Sequence, residues 1–88
     1  MTQIERIERM ENILDSLQDA ITRANNAISR LRELGPQAME LNDYYGSPEW
    51  FADLKADENG LLPEGLKRGV LSEDGIYDVL NEYKGFDL

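Results

Sequence analysis

Between Ile4 and Leu34 the chain contains neither glycine nor proline, and its apolar residues return at heptad positions: Ile7, Met10, Leu14, Leu17, Ile21, Ala24, Ile28 and Leu31. That spacing puts them on one face of a long α-helix, with Ile13, Ala20, Ala27 and Leu34 widening the seam on one side. Some thirty helical residues span about 45 Å, whereas a compact chain of this length is only about 30 Å across. Either the rest of the chain stretches out beside the helix, or something else covers the excess. Three coverings suit such a stripe: an internal core seam, a homodimer seam through Ile7, Leu14, Leu17, Ile21, Ile28 and Leu31, or a groove for a foreign helix. The seam is bulky before Leu17 and small at Ala20, Ala24 and Ala27, which predicts that Trp50 or Phe51 fills the gap.

Local signals divide the chain further. Thr2 and Glu5 have the spacing of a capping box, and Glu5 with Arg9 and Asp19 with Arg23 form i, i+4 pairs on a solvated face. Gly35-Pro36 predicts a stop, with Gly35 in the left-handed conformation and a tight reversal into a hairpin. A second helix is expected from Gln37 to Tyr45. Ser47 as N-cap and Pro48 as first helical residue start a third, reaching Asp57 and turning Trp50, Phe51 and Leu54 toward the first helix. Whether these two are one kinked helix or separate helices stays open at this level.

From Gly60 to Leu71 the pattern is a loop with a single turn after Pro63, and Leu61, Leu62, Leu66, Val70 and Leu71 laid over the core. A last helix is expected from Ser72, with Ser72 as N-cap, Glu73 and Asp74 at its positive end, and Leu71 stapled to Ile76. Ile76, Tyr77, Val79, Leu80 and Tyr83 are expected to face inward, and Gly85 to end it. No segment alternates as a strand does. The expected fold is therefore all-α, a single domain over residues 1–88. A long amphipathic helix (1–34) forms an antiparallel helical hairpin with two or three shorter C-terminal helices and a loop (35–88) that cover it.

Composition narrows the chemistry. Without cysteine there is no disulfide, thiolate nucleophile or Cys-based metal site, and without histidine the commonest general base and transition-metal ligand are missing. No catalytic motif is present, and the chain reads as a non-enzyme without a cofactor. The net charge is −9, with six acids against five arginines through Leu34 and twelve acids against four bases thereafter. That balance argues against nucleic acid or an anionic membrane as partners. The longest apolar run, Trp50-Phe51-Ala52, is far short of a membrane span, and Met1 to Met10 lacks a secretory pattern. A cytoplasmic location is expected.

Three groups of residues qualify as candidate sites. The first is acidic: Asp53, Asp57, Glu58, Glu73, Asp74 and Asp78, with Asp53 and Asp57 one helical turn apart and Asp74 as a further ligand for a hard cation. Asp57 to Gly60 matches the middle of a calcium loop, but Lys55 and Leu66 stand where its first and last ligands belong. Helix ends dressed with acids explain the same residues. The second is aromatic: Tyr44, Tyr45, Trp50, Phe51, Tyr77 and Tyr83 suit either an interaction face or a core. The third is Lys67-Arg68, which pins an anion or, as exposed pairs commonly do, neutralises Glu73 and Asp74.

The second half also carries a resemblance. Tyr44-Tyr45-Gly46-Ser47, Glu49-Trp50, Asp53, Ala56-Asp57-Glu58, Leu62-Pro63, the run Leu66 to Asp74, Tyr77 and Leu80 together resemble a family of short bacterial proteins known as domain of unknown function 4298. The first helix agrees with it in heptad character. The resemblance implies a small bacterial cytosolic protein, and brings no activity, cofactor or catalytic residue to carry over. The functional expectation is an acidic protein–protein interaction or accessory module. The alternatives are a carboxylate-based divalent-cation protein built on Asp53, Asp57 and Asp74, regulatory or hydrolytic, and a DNA mimic.

Overall fold

Helix α1 (Gln3–Glu33) opens the chain and is followed by α2 (Gly35–Tyr44), α3 (Pro48–Glu58), a 3-10 turn (Gly69–Leu71) and α4 (Gly75–Lys84). The computed structural model describes residues 1–72 and 74–88. Among these the fold is all-helical, without strands, and no helix is long and apolar enough to cross a membrane. The chain divides into two compact units, Met1–Arg32 and Glu33–Leu88.

The first unit is α1 alone. Its start is fixed by the capping box: the Thr2 N–H donates to Glu5 Oε1 at 3.3 Å and the Glu5 N–H to Thr2 Oγ1 at 3.2 Å, satisfying two donors that the first helical turn cannot. Arg30 and Arg32 lie in the last turn, at the negative end of the helix dipole. Asp19 and Arg23 pair at 3.0 Å on an exposed face. None of the residues of α1 is buried.

The second unit has its own core. Trp50, Leu71, Ile76 and Leu80 are buried together, with Ala38, Leu41, Tyr44, Tyr45, Leu54 and Leu62 packed against them. Trp50 therefore belongs to this cluster, within the second unit, and Phe51 is exposed. The expectation that one of these rings fills the small-residue gap is corrected. The cause is directional: the Trp50 indole N–H donates to the Val70 carbonyl at 2.9 Å, which holds the ring over the 3-10 turn.

Several boundaries also shift. Gly35 does not take the left-handed conformation expected of a terminator, since the glycines with positive φ are Gly46 (79°) and Gly60 (68°). It is the first residue of α2, with Pro36 beside it in the first turn, where a missing N–H leaves no helical bond unmade. Gly46 is the real break. It separates α2 from α3 as two helices, while the Ser47 side chain accepts from the Trp50 N–H at 3.2 Å as the N-cap of α3.

Helix α4 begins at Gly75, not directly after Ser72. Ser72 Oγ accepts from the Gly75 N–H at 3.0 Å and donates to the Gly69 carbonyl at 2.8 Å, so its hydroxyl closes the turn ahead of the helix. Only one stripe of α4 packs. Ile76 and Leu80 are buried and Tyr83 is half-buried, while Tyr77 and Val79, expected inward, are exposed. In the loop Leu71 is buried and Leu62 half-buried, but Leu61, Leu66 and Val70 are exposed, so it covers less of the core than expected.

Candidate functional site

The apolar stripe of α1 is exposed along most of its length. Ile4, Ile7, Met10, Ile13, Leu14, Leu17 and Ile21 each keep between 42% and 69% of their surface in water. Scattered exposed apolar residues are ordinary, but seven on one helical face form a continuous patch, and patches of that kind mark contact surfaces. Heptad spacing lines them up, and the capping box orders the turn in which they begin.

The aromatic turn of the second unit is built differently. Ser47 caps α3 and thereby sets Trp50 into the core, where Tyr45 meets it edge-on at 5.2 Å and 75°, and Phe51 at 5.0 Å and 75°. Trp50 also ties the Tyr44–Ser47 string to the Gly69–Ser72 string, through Val70. These two motifs, far apart in sequence, are neighbours in space. As only 8% of its surface is exposed, Trp50 is a core residue and offers no ring to a partner.

The acids are engaged individually. Tyr44 Oη donates to Asp53 Oδ2 at 2.7 Å, and that hydrogen bond, with burial and the charge of the carboxylate adding to it, pushes the Tyr44 hydroxyl up to about 12. Asp57 Oδ1 accepts from Arg68 Nη1 at 2.7 Å. Arg68 was expected to neutralise Glu73 and Asp74; its partner is Asp57 across the loop, and Glu73 lies outside the described residues. Asp74 is exposed at the start of α4 and makes no side-chain capping bond. Among the described residues no three acids are grouped as a cation would need. Neither the Tyr44 to Asp53 bond nor the Asp57 to Arg68 pair was foreseen, because each joins residues whose approach depends on a turn between them.

Lys67 takes part in an open groove of about 530 Å³, lined also by Leu41, Gly69, Val70, Ile76 and Val79. Its walls are mainly apolar and its mouth is wide. Tyr44, Tyr45, Trp50, Lys67 and Arg68, grouped as a candidate interaction face, therefore divide: Trp50 goes to the core, Tyr44 and Arg68 hold acids, and Lys67 edges this groove.

A family model described as "Domain of unknown function (DUF4298)" matches residues 7–86. The chain belongs to the DUF4298 family. The match extends the likeness beyond the second half and takes in α1 from Ile7 onward, so the heptad helix is part of what defines a DUF4298 chain and is not an appendage to it. No curated protein and no solved structure matches this DUF4298 chain.

Proposed function

We propose that this DUF4298 protein is a non-enzymatic interaction module whose contact surface is the apolar stripe of α1. The observation that carries the reading is that a helix of 31 residues has no buried residue and exposes seven large apolar side chains along one face. Most helices in proteins are held by packing of such a face, so a protein surface is its natural counterpart. The composition agrees, since neither histidine nor cysteine is available for general-base or nucleophilic work. The strong negative charge turns the module away from nucleic acid and anionic lipid and toward protein.

A photo-reactive residue in place of Leu14, in the full chain expressed in cells, tests this. The expected result is an adduct with a second polypeptide, abolished when Leu17 and Ile21 are both changed to Glu. An adduct confined to the chain itself would mean that the stripe is internal core, and would end the reading.

A further inference from the structure

Resting on the reading of the α1 stripe as a contact surface, we propose that its occupant is the α1 of a second copy, paired antiparallel. Three observations on this helix converge. The first is charge. Through Asp19 α1 carries five acids against two arginines, and from Ala20 to Leu34 three arginines against one acid. An antiparallel pair lays each acidic half beside a basic half, and a parallel pair sets like against like. Opposed helix dipoles favour the same choice.

The second is size. With the two-fold axis near Asp19, heptad pairing sets Ile7 against Leu31 of the partner subunit, Met10 against Ile28, Leu14 against Ala24 and Leu17 against Ile21. Beside the seam, Ile13 comes opposite Ala27. The small residues Ala24 and Ala27 thus each meet a large one, Leu14 and Ile13, while the other layers pair large with large, which keeps the helix separation even along the pair. In a parallel pair Leu14 would face Leu14 while Ala24 faced Ala24, and the Ala24 layer would leave a void between the bulky layers on either side of it.

The third is area. Seven large side chains, each about half exposed, present roughly 600 Å² per chain at some 60 to 120 Å² apiece, so a pair removes on the order of 1,200 Å² from water. That reaches the lower edge of stable interfaces. Ile28 and Leu31, half-buried in the single chain, extend it.

The absence of cysteine in the full chain makes the test direct. Met10→Cys and Ile28→Cys variants are purified separately, mixed, and oxidised mildly. A disulfide needs Cα atoms within about 7 Å, while two copies of residue 10 in the antiparallel pair stand about 27 Å apart. The expected result is a cross-linked dimer containing one of each variant, at least tenfold more abundant than dimers formed by Met10→Cys alone. Leu14→Cys mixed with Ala24→Cys supplies a second pair should either first variant lose its helicity.

Cross-linking of Met10→Cys alone as strong as in the mixture would mean a parallel pair and overturn the proposal. So would the absence of dimer in both mixtures. Failure here is separable from failure of the functional reading: a chain that forms no dimer, yet gives an adduct with a different protein through position 14 in cells, keeps the contact surface and loses the second copy.

Discussion

Trp50 joins several parts of the second unit through one side chain. It is buried, it stacks edge-on with Tyr45 and Phe51, and its N–H satisfies the Val70 carbonyl. Trp50→Ala is expected to cost about 3–5 kcal/mol, enough to unfold a unit of this size in part, read as loss of cooperative thermal melting. Trp50→Phe keeps most of the packing and loses the hydrogen bond, at about 1–2 kcal/mol. Gly75 sets a second residue-scale test. A Cβ there would collide with the Gly69 carbonyl oxygen and Ser72 Oγ, whereas at Gly65 it would meet open space. Gly75→Ala is expected to destabilise by about 1–3 kcal/mol, and Gly65→Ala to be neutral or stabilising by up to about 1 kcal/mol, as measured by urea denaturation.

Tyr44 gives the pH dependence. Its hydroxyl titrates near 12 in the folded chain against 10.0 unfolded. Folding therefore raises the affinity for this proton, so the stabilisation is complete below pH 10.0 and is lost as pH rises toward about 12. The stability difference between the wild type and Tyr44→Phe should shrink across that window. In Asp53→Asn the absorbance titration of this phenol should return toward its ordinary midpoint. Asp53 is nine residues away on a different helix, so no periodicity within one helix could have revealed the pair.

At the scale of elements, what was legible was local. Thr2 with Glu5 and Ser47 with Trp50 are three-residue relations, and both caps form as the sequence predicts. Ser47→Ala is expected to cost about 1 kcal/mol, visible as a lower melting temperature and fraying at the start of α3. Gly35 misled because Gly-Pro marks a helix end and a helix start equally well, and here Pro36 lies in the first turn of α2. In α4 the inward set was drawn too wide. Ile76, Leu80 and Tyr83 follow the i, i+4, i+7 rule of a single stripe, and Tyr77 and Val79 lie off it. The partner of Trp50 was not legible at all, because a carbonyl twenty residues away leaves no mark on side-chain pattern.

At the scale of the molecule, the helical class and the α1 stripe are visible in the heptad spacing alone, because both are periodic. What covers a stripe is a property of two surfaces, and one sequence displays only one of them directly; the charge gradient along α1 and the place of its alanines supply the second when the chain is its own partner. The central claim is that this stripe meets the same stripe of a second copy. The most direct test is the solution mass of the full chain by light scattering over a dilution series, with Leu14→Glu alongside. The account predicts twice the 10.1 kDa chain mass at high concentration, falling to the single-chain mass on dilution, and a single-chain mass throughout for Leu14→Glu. A wild-type mass of 10.1 kDa at every concentration would contradict it.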